Sequence, residues 1–266
     1  MGASFQRQSD KDEFKPVVFE TTKPLLRFFA ISDFGDNCKE VKSVAAAMNR
    51  YATEFNSPPN FITGLGDNFY HAGVQSADDE QFKTTWRDVF LKDYPALRVP
   101  WRMVLGNHDY MGNPNGQIDY HYNKKLNKDH LWYMPSNSYR FQYYLGSKSE
   151  KSVNDSVSVD FFAVDTNGCQ LHVVEEFPNT PNQLRNTLKE LNKKLLASTA
   201  TWKIVMGHHP MYTAGAGHSG TAEFLRDSSK QYFNQQFVNG YSFEENLTTG
   251  KADAYFSGHE HVFQVL

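Results

Sequence analysis

Six short polar segments, each directly after a run of apolar residues, carry side chains that can bind metal ions. They are residues 32–35, 66–70, 106–109, 165–167, 207–210 and 258–261. Five of the six offer strong nitrogen or oxygen donors, and the segment at Asp165 contributes least. The donors include carboxylates, a phenol, an amide and imidazoles, a mixture that suits two metal ions. Because paired metal ions hydrolyse phosphate esters in many enzymes, the donor set predicts that chemistry.

Seven side chains in these segments are the candidate metal ligands. They are Asp33, Asp67, Tyr70, Asn107, His208, His259 and His261. Carboxylates are hard donors that can bridge two cations, a role that neutral imidazole cannot fill. A phenol loses its proton near neutral pH only beside a strong Lewis acid such as Fe³⁺. Each segment alone is common as a turn or a helix cap, so the prediction rests on their joint occurrence at strand ends.

Short apolar runs that end in Gly, Asp or Asn predict the β-strands that position these ligands. The runs cover residues 25–32, 60–66, 102–106, 157–164, 202–207 and 252–258. Their near-continuous apolar character predicts burial on both faces. Apolar stripes at helical spacing predict helices over residues 41–51 and 183–198, with a weaker candidate over residues 81–90. Alternating strands and helices predict a layered α/β or αββα domain, in which ligands gather at the carboxyl ends of the strands.

The length and composition fit a single domain. The chain has 266 residues, of which 39% are hydrophobic and 15% aromatic, enough for a sizeable core. We expect a loose leader over residues 1–23 and a catalytic domain over residues 24–266. Within that domain, residues 110–158 are expected to form an irregular surface excursion with a short hairpin near residues 138–144.

The charge and hydropathy of the chain limit its partners. A formal net charge of −3 argues against nucleic acid and anionic membranes. The sequence has neither an apolar run long enough to cross a bilayer nor the hydrophobic region of a signal peptide. Any attraction for phosphate must therefore be local to the predicted site.

The order of the motifs Asp-x-Gly, Gly-Asp-x-x-Tyr, Gly-Asn-His-Asp, Val-x-x-His and Gly-His-x-His resembles the purple acid phosphatases of the calcineurin-like metallophosphoesterase superfamily. The likeness is greatest to the small tartrate-resistant acid phosphatases and runs from about residue 25 to the last residue. Tyr70 is the discriminating residue, because other metallophosphoesterases generally lack this tyrosine. The resemblance implies a four-layer αββα metallophosphoesterase sandwich. Relatives continue beyond the position of Leu266, so the C-terminal strands of the sandwich are expected to be missing.

The resemblance also implies two metal ions per chain and a role for each candidate residue. The implied ligands of Fe³⁺ are Asp33, Tyr70, His261 and the bridging Asp67. The implied ligands of a divalent ion (Fe²⁺, Zn²⁺ or Mn²⁺) are Asn107, His208, His259 and the same bridge. As catalytic residues, His108 and His218 would contact the phosphate or assist the leaving group, although Gly217 replaces an acidic residue before His218. The implied reaction is hydrolysis of phosphate monoesters at acidic pH by attack of a metal-bound hydroxide.

Other interpretations stay open at this point. One is another dinuclear metallophosphoesterase, either a protein Ser/Thr phosphatase or a phosphodiesterase, which would be colourless and active at neutral to alkaline pH. A second is a non-catalytic scaffold on the same fold, and a third is a structural zinc protein, which Asp, Asn and Tyr donors serve poorly. The expected partners are small phosphate monoesters or phosphoproteins, not nucleic acid or membranes, and the chain is expected to be a monomer. The resembling family is usually secreted or lysosomal, but the compartment is left open here.

Overall fold

Two β-sheets lie face to face in the computed structural model, which describes residues 14–21, 25–146, 157–215, 219–226 and 243–261. The strands of the first sheet are β1 Val17–Thr21, β6 Tyr139–Leu145, β7 Val157–Ala163, β8 Trp202–Met206 and β9 Ala254–Phe256. The strands of the second are β2 Phe28–Ile31, β3 Phe61–Leu65, β4 Trp101–Val104 and β5 Trp132–Tyr133. The strand orders are β1-β6-β7-β8-β9 and β2-β3-β4-β5. Within these residues β6 and β7 are antiparallel, and the other neighbouring strands are parallel.

Helices pack on both sheets. They are α1 Lys39–Glu54, α2 Asn107–Tyr110, α3 Pro114–Tyr122, α4 Leu171–Glu176, α5 Thr180–Ala197, α6 Ser219–Arg226 and α7 Phe243–Thr249, with a π-helix at Phe82–Leu91 and 3₁₀ turns at Pro95–Leu97 and Asn167–Cys169. Ala45 of α1 and Trp86 of the π-helix pack into the core of the second sheet. Leu188 of α5 and Leu247 of α7 pack on the first sheet. The predicted αββα sandwich is therefore confirmed. Among the described helices, none has the length and apolar character needed to cross a membrane.

Aromatic side chains fill the space between the sheets. Phe61 of β3 stacks on Phe28 of β2, with ring centroids 5.0 Å apart. It also meets Phe141 and Phe161 of the opposite sheet edge-on, at 5.5 and 5.2 Å. Such pairs add about 1 kcal/mol each beyond the burial of apolar area. β3 and β4 are buried along their whole length, as their continuous apolar sequence predicts.

The predicted elements that flank the polar segments are confirmed. Each of the six apolar runs overlaps a strand, and the two apolar stripes form α1 and α5. The weaker candidate over residues 81–90 is also helical, in the π form, and buries Phe82, Trp86 and Phe90. The carboxyl ends of the parallel strands are thus available to carry the ligands.

The prediction of a loose leader over residues 1–23 is wrong where the structure describes that segment, at residues 14–21. Residues Val17–Thr21 form β1, which pairs in parallel with Phe141–Leu145 of β6. Phe14 is buried and packs on Phe162, with ring centroids 5.9 Å apart. The strand gives little signal in the sequence because Val17 and Val18 remain exposed and the paired strand is distant in the chain. Residues 1–13 lie outside the described part.

The prediction of an irregular excursion over residues 110–158 also needs correction. The segment contributes α3, β5, β6 and the first residues of β7, and β6 is a single strand paired with β7 rather than a short hairpin of its own. Asn127 orders the turn before β5, although it lies in no regular element. Its amide donates to the Trp132 carbonyl at 2.9 Å and to the His121 carbonyl at 3.2 Å. A buried asparagine therefore supplies the order that periodicity does not reveal.

Candidate metal centre

The carboxyl ends of parallel strands from both sheets meet at one edge of the sandwich. The ligand positions that follow β2, β3 and β4 of the second sheet are Asp33, Asp67 and Asn107. Those that follow β8 and β9 of the first sheet are His208, His259 and His261. Parallel strands end side by side, so residues far apart in the sequence become neighbours here.

Three of these ligand positions leave their strands through a left-handed backbone turn. Asp33, Asp67 and His259 have φ angles of 56°, 50° and 73°, which cost about 1–2 kcal/mol each for residues other than glycine. The Asp33 N–H donates to the Gly66 carbonyl at 3.1 Å, and the His259 N–H donates to the Asp33 carboxylate at 2.9 Å. Backbone strain of this kind gathers at functional sites. Here it turns the side chains toward a common centre.

The first ligand group surrounds the Tyr70 hydroxyl. This oxygen lies 3.2 Å from Oδ1 of Asp33, 3.1 Å from Oδ2 of Asp67 and 2.9 Å from Nε2 of His261. The same His261 nitrogen lies 3.3 Å from Oδ1 of Asp33. Asp33, Asp67 and His261 therefore converge on the Tyr70 hydroxyl, each within hydrogen-bond distance of it. The exposed ring of His261 places this group at the surface.

The second ligand group surrounds Nε2 of His208. This nitrogen lies 3.1 Å from Oδ1 of Asn107, 3.2 Å from Nδ1 of His259 and 3.4 Å from Oδ1 of Asp67. All four residues are buried. On the far side of its ring, Nδ1 of His208 donates to the Leu65 carbonyl at 2.8 Å, which leaves Nε2 as the ligating atom.

The two groups fit two metal ions that share Asp67. Its Oδ2 faces Tyr70 and its Oδ1 faces His208, so one carboxylate serves both groups. Ligand atoms on one ion, with bonds of about 2.1 Å at right angles, lie about 3.0 Å apart. The separations in both groups are close to this value. The oxygen-rich first group suits a hard cation, whereas the imidazoles of the second suit Fe, Zn or Mn.

Electrostatics within the site favour added positive charge. Burial raises the pKa of Tyr70 far above its usual value, and the charges of Asp33 and Asp67 raise it further. Burial lowers the pKa of His208, but Asp67 outweighs this and raises it to about 9. Burial also opposes ionisation of Asp67, yet the charge and hydrogen bond of His208 hold its pKa well below the usual range. A phenol beside two carboxylates therefore needs a strong cation before it can ionise.

His108 lies beside the first group with one nitrogen fixed. Its ring meets the Tyr70 ring edge-on at 4.7 Å, and its backbone N–H donates to Oδ1 of Asp67 at 2.9 Å. Nδ1 lies 2.7 Å from the His71 carbonyl. Because a carbonyl only accepts, Nδ1 must carry the hydrogen of this bond, and Nε2 is the ring nitrogen that the bond does not engage. The other predicted catalytic residue, His218, lies outside the described residues.

Asp109 and Asp165 hold the surrounding loops rather than joining either ligand group. Asp109 is fully buried and accepts from the Gly106 N–H at 2.8 Å and from Gln117 at 2.7 Å. Burial and the nearby charge of Asp67 raise its pKa to about 7. Asp165 accepts from the Tyr110 hydroxyl at 2.5 Å. These contacts agree with the smaller role that the sequence gives the Asp165 segment.

Two further histidines adjoin the site, although neither is among the site residues that the sequence predicts. His209 is buried, with ring centroids 4.9 Å from His208 and 4.6 Å from His259. His71 is exposed, and its ring centroid lies 5.8 Å from that of Tyr70. The doubled histidine in Gly-His-His-Pro is a visible signal for the first. His71 has no signal beyond its place after Tyr70.

This arrangement is that of a metallophosphoesterase. The family model for calcineurin-like phosphoesterases matches residues 26–263, and the chain belongs to that family.

Within the family, the similar proteins carry more particular names. Tartrate-resistant acid phosphatase type 5 of Sus scrofa is 33% identical over 254 residues, which cover 91% of this chain and 66% of that protein. The Homo sapiens protein of the same name is 31% identical over 261 residues, with 94% and 71% covered. Purple acid phosphatase 7 of Arabidopsis thaliana is 29% identical over 271 residues, with 96% and 70% covered. The resemblance to tartrate-resistant and purple acid phosphatases is confirmed, and the chain spans about two thirds of the length of these relatives.

A solved structure also shares the fold. It is described as "GAP50 the anchor in the inner membrane complex of Plasmodium" and matches with a TM-score of 0.62 at 22% sequence identity. The match covers 88% of this chain and 66% of that one. At this identity, the likeness shows the fold alone.

Proposed function

We propose that the chain is an acid phosphatase that hydrolyses phosphate monoesters with Fe³⁺ and a divalent ion. The observation that carries the proposal is the position of the Tyr70 hydroxyl, within 3.2 Å of Asp33, Asp67 and His261. A phenol in this position selects a strong Lewis acid, because burial and two carboxylates otherwise keep it protonated. The names of the similar proteins support the same activity.

Tyr70 also separates this proposal from the alternatives. A protein Ser/Thr phosphatase or a phosphodiesterase with two divalent ions would have no use for a phenol among its ligands. A non-catalytic scaffold would not need to keep seven convergent donors. The second ligand group, centred on His208, remains complete and buried, which favours a working site.

When bound, the two ions would acidify water to give a nucleophile and would neutralise the charge of the phosphate. The chain supplies the positioning. Asp67 joins the two ligand groups through its two carboxylate oxygens. His108 would present Nε2 to the bound ester, because Nδ1 is bonded to the His71 carbonyl. When both ring nitrogens carry a hydrogen, Nε2 can donate its proton to a phosphoryl oxygen or to the leaving alkoxide. His218 is proposed to assist in the same step.

The proposed substrates are small phosphate monoesters or phosphoproteins, and the proposed state is a monomer. A net charge of −3 repels polyanions at a distance. The attraction is therefore confined to the metal centre, which a small ester or an exposed phosphorylated side chain can reach.

The test uses the protein loaded with iron and zinc and compares Tyr70→Phe with Tyr51→Phe. The side chain of Tyr51 is exposed and lies on α1, away from the ligand groups. The unchanged protein and Tyr51→Phe should absorb visible light through charge transfer from tyrosinate to iron and should hydrolyse an aryl phosphate at acidic pH. Tyr70→Phe should lose the absorption.

Two outcomes would overturn the proposal. A colourless loaded protein with activity at neutral to alkaline pH would indicate another metallophosphoesterase. A loaded protein that leaves the aryl phosphate intact from acid to alkaline pH would refute the assignment as an enzyme.

A further inference from the structure

His209 lies directly behind the second ligand group but is not one of the seven candidate ligands. It is fully buried, and its ring packs against the rings of His208 and His259. One potential ligating atom from each of the three histidines lies within 4.8 Å of those of the others. A third imidazole therefore adjoins the pair that would bind the divalent ion.

Two side chains fix His209 from the far side. Its Nδ1 lies 2.7 Å from the Thr166 hydroxyl, which also accepts from the His209 backbone N–H at 3.2 Å. The Tyr255 hydroxyl donates to the His209 carbonyl at 2.7 Å. Thr166 is itself fully buried. His209 is thus held through both its backbone and its side chain, which leaves its ring little freedom to turn.

The two candidate ligands beside it differ in how their rings are held. A histidine that binds a metal needs a fixed neighbour at its second nitrogen, which sets the orientation of the ring. His208 has the Leu65 carbonyl at Nδ1. His259 turns Nδ1 toward His208, so the other side of its ring faces away from the ligand group. The ring packed against His259 at 4.6 Å is His209.

We propose that His209 is a positioning residue for the divalent half of the centre. Held by Thr166, it fixes the rings of His208 and His259 in the orientation that binds the divalent ion. The inference rests on the proposed function only in that a divalent ion binds to the second ligand group. It assigns no role to His209 in the first group, which Tyr70 organises.

The test removes the ring nitrogens of His209 but keeps an aromatic ring at this position. His209→Phe keeps an aromatic side chain of similar size, and Thr166→Val removes the hydroxyl that holds it. Thr166→Ser keeps the hydroxyl and is the matched control. His121→Phe changes a partly buried histidine near β5 and controls for the loss of an imidazole elsewhere.

Zinc affinity is measured by competition with a chelator, metal content by mass spectrometry, and thermal unfolding is followed for each variant. His209→Phe should weaken zinc binding roughly 10- to 100-fold while iron content and visible absorption stay unchanged. Thr166→Val should weaken it in the same direction, and both controls should match the unchanged protein. This separation matters because a general loss of structure would remove both ions.

Two results would overturn the inference. Zinc affinity in His209→Phe within about twofold of the unchanged protein would make His209 a packing residue only. Loss of both ions together with a lower melting temperature in both His209→Phe and Thr166→Val would make its role structural. Absence of visible absorption from the unchanged protein would refute the iron–tyrosinate proposal, yet the zinc comparison would still decide the role of His209.

Discussion

Replacing Gly66 should disturb His208 without touching any ligand. Gly66 precedes Asp67 and has a φ angle of +96°. A Cβ at this position would lie 2.5 Å from Nδ1 and 2.6 Å from Cγ of His208. The same Nδ1 donates to the Leu65 carbonyl. Gly66→Ala should therefore push the His208 ring aside and break that hydrogen bond.

Gly146→Ala is the matched control. It separates the cost of backbone strain from the cost of the steric overlap with His208. Gly146 also has a positive φ angle, +84°, but a Cβ there would meet nothing within 4 Å. Backbone strain should cost about 1–2 kcal/mol in both variants. At Gly66, overpacking adds about 1–3 kcal/mol and the lost hydrogen bond about 1 kcal/mol. The free energy of unfolding should fall by about 1–2 kcal/mol in Gly146→Ala and by about 3–6 kcal/mol in Gly66→Ala.

Urea unfolding of the metal-free proteins gives the two free energies, and a zinc titration gives the effect on the site. Zinc affinity should fall roughly tenfold or more in Gly66→Ala and stay unchanged in Gly146→Ala. Equal destabilisation of the two variants, together with equal zinc affinity, would refute the close packing of His208 on Gly66.

Three more predictions follow from contacts described for this chain. Asn107→Ala should abolish aryl phosphate hydrolysis and lower zinc affinity while the circular dichroism spectrum stays unchanged; retained activity would remove Asn107 from the ligand set. Asp160 is fully buried and ion-paired with Arg140, so Asp160→Ala should cost about 3–5 kcal/mol in urea unfolding, whereas a loss below about 1 kcal/mol would contradict a buried pair. Burial lowers the pKa of His121 below 6.5. The stability linked to its neutral form is therefore present above pH 6.5 and is lost as pH falls through the folded pKa. The slope of melting temperature against pH in this range should shrink in His121→Gln.

The convergence of the candidate ligands was predictable because it depends on local sequence. Each donor directly follows a short apolar run, and parallel strands bring their carboxyl ends together whatever the length of chain between them. To predict that Asp33, Asp67 and His208 converge, it was therefore enough to predict the strands that precede them. Tyr70 required its spacing from Asp67 and the recognition of a family motif.

The remaining features depend on contacts between distant residues or on the local backbone. β1 is paired with β6, which lies more than a hundred residues away, and its outward valines give no buried face to detect. Asn127 orders its turn through carbonyls that no periodicity marks. The place of His209 behind His259 follows from the packing of β8 against β9. None of these is encoded in a short window of sequence.

Because the candidate ligands are divided between the two sheets, bound metal ions would cross-link the sheets as well as take part in the reaction. Asp33, Asp67 and Asn107 follow strands of one sheet, and the three candidate histidines follow strands of the other. Metal ions held by both sets would tie the edges of the sandwich together. An ion at about a thousand times its dissociation constant adds about 4 kcal/mol to the free energy of unfolding. The free energy of unfolding would then depend on the concentration of free metal ions, and a chelator would lower it.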